Sequence, residues 1–229
     1  KLLLFLSCFL LSLPMLKADL PFRNHRYDAF KVLSTNDKSI VFIGNSITNM
    51  NEWWETFSSN PNVMNRGVSG AVTDEALANI DAVAAGKPAK VFMMIGTNDL
   101  GTDGINNAAH VLQNTKFMVE YLQKVSPATQ IYIQSILPST NGIRTLEVEK
   151  ETNAALKAFC NERGLTYIDL WDDLLSLTQN QTHTFDGLHL KASGYQVWAS
   201  KIAQYVGSPC AYPDNAVSAQ QHGGIGNAA

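Results

Sequence analysis

Ser39-Ile40-Val41-Phe42-Ile43 runs directly into Gly44-Asn45-Ser46-Ile47-Thr48. The first five residues are mostly apolar, rich in β-branched and aromatic types, and show no polar alternation. They read as a parallel strand buried on both faces. The glycine and the Asn-Ser pair read as a turn into a helix. A strand ending in Gly-x-Ser holds a hydroxyl at a strand's carboxyl end beside a helix N-terminus, where open α/β sheets bind ligands.

The same alternation continues along the chain. Lys90–Ile95 (KVFMMI) and Gln130–Ile136 (QIYIQSI) are two more strong strands, and Asn62–Asn65 and Thr166–Ile168 are short ones. Helical stretches fall between them: Glu52–Phe57, Thr73 to about Ala85, Asn106–Val125, Leu146–Arg163 and Ser193–Val206. Thr73-Asp74-Glu75 caps the second of these, and Gly164 ends the fourth. Such alternation predicts an α/β fold, a doubly wound three-layer sandwich with a parallel sheet of about five strands.

With 229 residues, 45% apolar and 16% charged, the chain suits one globular domain. A net charge of −3 and the lack of a basic cluster argue against nucleic acid as a partner. Lys1 followed by the apolar run Leu2–Leu13, with Ala18 behind it, reads as a secretory signal peptide over residues 1–18. That reading places the protein in a secreted or periplasmic location, without lasting membrane insertion once the signal is removed. Residues 19–37 form a lead-in, 38–207 the domain, and 208–229, rich in Pro, Ser, Ala, Gln and Gly, a linker or tail of the kind that joins further domains. Beyond the signal, Cys160 and Cys210 remain. Cys160 reads as a buried thiol on an apolar helix face rather than half of a disulfide. The five histidines lack ligand spacing, so no metal is expected.

Four separated segments carry chemistry. Ser46 is a nucleophile candidate, although serine in that place also suits a helix cap. Asp186-Gly187-Leu188-His189 lets a carboxylate reach an imidazole within one turn, orienting it as a base. Of the other histidines, His25 and His222 lie outside the domain proper, His110 sits on a helix, and His183 has no Asp three residues before it. Asn98, in Gly96-Thr97-Asn98-Asp99 after the second strong strand, offers an amide donor for a negative oxygen or simply turn chemistry. Gly67 and Gly70 let a backbone N–H approach a ligand closely, or serve as ordinary loop glycines.

Gly44-Asn45-Ser46, the Gly70 loop, Gly96-Thr97-Asn98-Asp99 and Asp186-Gly187-Leu188-His189 resemble, in order, the four blocks of the SGNH/GDSL hydrolase family. The resemblance covers roughly Lys38 to Val206. It implies a flavodoxin-like sandwich and cofactor-free ester hydrolysis. It further implies Ser46 as nucleophile, His189 as general base and acid, and Asp186 as the orienting carboxylate. The backbone N–H groups of Ser46 and Gly70 and the Asn98 side chain would form the oxyanion hole. One departure is visible: the family usually has Asp where Asn45 stands, which puts in doubt any charge beside the serine.

Trp53 and Trp54 follow the nucleophile turn and are candidate sugar-stacking residues, or core. Because no long apolar lid is evident, a short acyl group such as acetyl is expected. The chain resembles bacterial sialate and polysaccharide O-acetylesterases and platelet-activating-factor acetylhydrolase-like esterases. The expected substrate is a small-molecule or glycan ester. A lysophospholipase or thioesterase on the same scaffold, or a non-catalytic glycan-binding module, are the alternatives.

Overall fold

The computed structural model describes residues 21–101 and 107–210. The signal peptide read over residues 1–18, and the tail from 211 onward, lie outside the described residues. Five strands form one all-parallel sheet: β1 (Ile40–Gly44), β2 (Val63–Gly67), β3 (Lys90–Met94), β4 (Gln130–Gln134) and β5 (Thr166–Ile168), in the order β2-β1-β3-β4-β5. The chain is helical over residues 21–32 (α1). It then adds α2 (Ser46–Asn49), α3 (Trp53–Thr56), α4 (Thr73–Ala78), α5 (Ile80–Ala84), α6 (Ala108–Val125), α7 (Leu146–Arg163), α8 (Trp171–Gln179) and α9 (Ala192–Val206). This is the expected α/β/α sandwich.

Both faces of the sheet are covered, so the central strands carry apolar residues at consecutive positions. Val41, Ile43, Val91, Met93, Ile131 and Ile133 point to one face and pack with α1 and α4 to α7. Ile40, Phe42, Phe92, Met94 and Tyr132 point to the other, with α3, α8 and α9. On that second face the strand register sets Phe42 opposite Phe92 and Phe92 opposite Tyr132. Their rings stack at 4.9 and 4.5 Å, and the Trp53 indole extends the row at 4.4 Å from Phe42. Each such pair adds about 0.5–1.5 kcal/mol beyond the burial of its area.

This row corrects one expectation. Trp53 has no exposed surface, and its indole N–H donates to the Thr48 carbonyl at 2.8 Å. It is core and holds α2 against the sheet, so it is no sugar platform. Trp54, the next residue, is half exposed.

Other differences have local causes. Thr73 is not a cap. Its N–H and hydroxyl both donate to the buried Asp99 carboxylate, and Val72 precedes the helix instead. The stretch from Thr73 to Ala85 breaks at Asn79, whose side-chain amide donates to the Glu75 carbonyl. Asn side chains compete in this way with helical backbone bonding. The lead-in contains α1, whose Tyr27 and Phe30 enter the core. Helix α8 was not expected at all. Cys160 is buried, and burial pushes its thiol up to about 11. Cys210 is exposed beside Ser58, and both thiols are free.

Candidate active site

The strand order reverses between β1 and β3, since β1 leads outward to β2 and β3 lies on its other side. Ligands bind at this switch point in doubly wound sheets. Ser46 follows β1 and Asn98 follows β3, so the sheet alone delivers both to the carboxyl edge.

Asn45 shapes the turn after β1. Its side-chain oxygen accepts from Ile47 N–H at 3.0 Å and caps α2. Asn caps a helix about as well as Asp, so the departure at this position leaves the turn intact. Ser46 takes the first helical position, where a backbone N–H has no partner inside the helix.

The imidazole comes from the loop between α8 and α9. Thr184 bridges Leu190, Phe185 N–H donates to the His189 carbonyl at 3.1 Å, and Lys191 N–H to the His183 carbonyl at 2.7 Å. Leu188 and Leu190 anchor this narrow loop in the core. Within it, Asp186 Oδ1 accepts from the N–H groups of Leu188 and His189 at 3.0 and 2.7 Å. Asp186 Oδ2 lies 2.6 Å from His189 Nδ1, and His189 Nε2 lies 2.9 Å from Ser46 Oγ. A hydrogen on Nδ1, given to Asp186, leaves Nε2 as the acceptor for the serine hydroxyl. Partial burial alone would raise the Asp186 carboxyl. The bonds from His189 and Leu188 outweigh it and hold the group below its ordinary value.

Four consecutive loop residues line up beside the serine turn, and each is tied to a different partner. Val68 N–H donates to the Gly44 carbonyl at 3.0 Å. The Ser69 hydroxyl donates to Asn49 at 3.0 Å. The Gly70 carbonyl accepts from Arg23 at 2.8 Å. The Ala71 carbonyl accepts from Asn98 Nδ2 at 2.9 Å, which occupies one of that amide's two hydrogens. The structure therefore brings Ser46, Gly70, Asn98, Asp186 and His189 to one edge of the sheet.

Two other described histidines have partners elsewhere. His183 bonds Ser193 and lines a groove of about 840 Å³ that does not include Ser46 or His189. His110 pairs with Asp74. Among the described residues, no group of three or more His, Cys, Asp or Glu stands at metal-binding geometry.

Reading the sequence singles out neither Phe185 nor Asp99 nor Arg23. Phe185 is 56% exposed and its ring lies parallel to that of His189 at 5.7 Å. Its place directly before the Asp-x-x-His block was an available signal. Asp99 is raised chiefly by burial and is held by Thr73. Nothing local to Arg23 reveals its long-range bond.

A three-layer sandwich with a serine, an imidazole and a carboxylate in a hydrogen-bonded line defines a class of hydrolases. The GDSL-like Lipase/Acylhydrolase family pattern matches residues 42–197, and the chain belongs to that family. It is an ester-hydrolysing enzyme. A protein from Streptococcus pneumonia, described as a candidate platelet activating factor, is similar at 27% identity and TM-score 0.76, over 86% of this chain and 98% of that one. A GDSL-like lipase from Bacteroides thetaiotaomicron is similar at 25% identity and TM-score 0.67, over 80% and 96%. An acetylxylan esterase from Geobacillus stearothermophilus shares the fold at 15% identity and TM-score 0.63, over 76% and 95%. Among curated proteins, an N-acylneuraminate cytidylyltransferase from Escherichia coli O18:K1:H7 is 27% identical over 173 residues, 73% of this chain. The chain spans 40% of the length of that relative.

Proposed function

We propose that the protein is a secreted serine esterase that removes acetyl groups from a carbohydrate, with Ser46, His189 and Asp186 as its triad. The observation that carries this reading is the continuous line from Asp186 Oδ2 through His189 to Ser46 Oγ, at 2.6 and 2.9 Å. In the first half-reaction, His189 Nε2 takes the hydroxyl proton as Ser46 Oγ attacks the acyl carbonyl carbon. The carbonyl oxygen becomes an oxyanion, held by the N–H groups of Ser46 and Gly70 and the second Nδ2 hydrogen of Asn98. Protonated His189, facing Asp186, gives its proton to the leaving alcohol. Water then attacks the acyl carbon as it loses a proton to His189, the bond to Ser46 Oγ breaks, and His189 returns the proton to the serine as the acid is released.

One similarity supports a carbohydrate as the alcohol side of the ester: a relative's name contains the sugar N-acylneuraminate. Phe185, half exposed against the imidazole, offers a ring face where the alcohol must leave. Trp54 is a second exposed ring available to a sugar. Export rests on the apolar run behind Lys1.

The test is acetate release from O-acetylated sialic acid and from acetylated xylan, with wild type and Ser46→Ala side by side. Release that disappears in the variant is the expected result. Cleavage of short aryl esters alone would overturn the sugar assignment, and preference for long-chain lysolipid or thioester substrates would replace it. Activity surviving in Ser46→Ala would overturn the triad.

A further inference from the structure

Gly70 has two backbone groups to place. Its N–H is the donor assigned to the oxyanion, and with no side chain, only its carbonyl is left to hold it. We infer that Arg23, on α1, is the positioning residue for this oxyanion donor. The inference rests on the esterase reading above.

The turn over Val68–Ala71 is closed by Ala71 N–H donating to the Val68 carbonyl at 3.0 Å, with Gly70 at φ +77°. A positive φ at the third turn position needs glycine and sets the direction of its N–H. Arg23 Nη1 donates to the Gly70 carbonyl at 2.8 Å and pairs with Glu75 of α4 at 3.3 Å. The Arg23 side chain packs below Gly70, its Cδ 3.7 Å from where a β-carbon would stand. Arg23 itself is only 8% exposed. A buried arginine with a charge partner on a neighbouring helix is a rigid anchor.

The neighbours of Gly70 are held from within the matched segment, by Gly44, Asn49 and Asn98. Gly70 is held from α1, ahead of residue 42 where that match begins. Helix α1 therefore does more than cover the sheet. It fixes the depth at which the Gly70 N–H meets the developing charge. A displacement of about 1 Å at such a group costs on the order of 100-fold in rate. The effect falls on turnover, because the donor binds the oxyanion more strongly than the ground-state carbonyl.

The experiment compares kcat and KM on a short aryl acetate, with melting temperatures, for wild type, Ser46→Ala, Arg23→Met, Arg23→Lys and Arg26→Met. Arg26 lies on the same helix, and its Nε reaches the carbonyl of Gly67 at 3.3 Å, a residue whose own N–H is already given to Asn65 Oδ1 at 2.8 Å. Arg23→Met should lose ~10- to 100-fold in kcat, with KM within about twofold. Arg23→Lys should recover part of the loss by reaching the same carbonyl, and Arg26→Met should keep the wild-type kcat. A folded Arg23→Met with unchanged kcat, a loss confined to KM, or an equal loss in Arg26→Met would each overturn the inference. Should Arg23→Met fail to fold, Arg23→Leu, which also lacks a donor, takes its place, and unchanged kcat there overturns it equally. Activity surviving in Ser46→Ala would instead overturn the underlying serine-esterase reading. An inactive Ser46→Ala beside an unaffected Arg23→Met would overturn this inference alone.

Discussion

Glu149→Gln isolates a buried carboxylate that supports the catalytic loop from below. Glu149 lies on α7 with no exposed surface. Its oxygens accept from the N–H and hydroxyl of Ser139 at 3.0 and 2.5 Å. The next residue, Thr140, donates its N–H to the Gly187 carbonyl at 2.7 Å, inside the Asp186–His189 turn. Burial above all pushes the Glu149 carboxyl from 4.5 up to about 7, against the bonds from Ser139 and the charge of Arg144. The folded protein thus keeps this proton where the unfolded chain has already released it. Stability from the site is fully present below about pH 4.5 and is lost as the pH rises through about 7, then levels off. At roughly 1.4 kcal/mol per pH unit, the loss is about 3 kcal/mol. Glutamine keeps the shape: its carbonyl accepts from the Ser139 N–H and its amide donates to the hydroxyl. Any fixed difference between the two proteins therefore cancels across pH. Urea unfolding of both, from about pH 4.5 to pH 8, should show the variant gaining about 3 kcal/mol on the wild type as pH rises. Two parallel stability curves would refute the argument, because they would mean that Glu149 titrates alike in folded and unfolded chains.

Three further outcomes are expected. Asn98→Ala should lower kcat by ~100- to 1000-fold with little change in KM, read by steady-state kinetics on an aryl acetate. Gly187→Ala should cost about 1–2 kcal/mol from backbone strain alone, since φ there is +79°. The added methyl would also stand 2.7 Å from Thr140 Oγ1, so thermal unfolding should show a lowered Tm and kinetics a lowered kcat. Phe185→Ala removes the ring parallel to His189. It should raise KM for an acetylated sugar about fivefold, the equivalent of one lost stacking contact, with a smaller effect on kcat.

The sheet was legible because a parallel strand covered on both faces needs apolar residues at consecutive positions. Phe42, Phe92 and Tyr132 fall opposite one another for that reason. The chemical blocks were legible because each joins its residues locally: Asn45 caps Ile47, and Asp186 reaches His189 within three residues. What escaped depends on partners far along the chain. Thr73 looks like a cap until Asp99 arrives from 26 residues away. Arg23 looks like surface charge until it meets Gly70, 47 residues on. Trp53 carries a large ring on a short helix, and only the packing of α9 over it shows that water never reaches it. Long-range pairing of this kind leaves no period or spacing in the sequence.

The neutral residue at position 45 follows from the same division between buried scaffold and exposed chemistry. Asn45 is as buried as the strand before it. A carboxylate there would cap Ile47 equally well but would need charge compensation, because an unpaired buried charge is costly. An amide provides the cap without that requirement. The negative charge that acts on His189 stands instead on Asp186, which is partly in water and held by three donors at 3.0 Å or less. Its carboxyl lies below the ordinary range, so it stays ionised as the imidazole gains and loses its proton. The turn after β1 is fixed by neutral and backbone groups, while the titrating pair occupies one narrow loop braced by Leu188, Leu190 and Thr140. Asn45 therefore changes the charge near the serine without changing the line from Asp186 to Ser46.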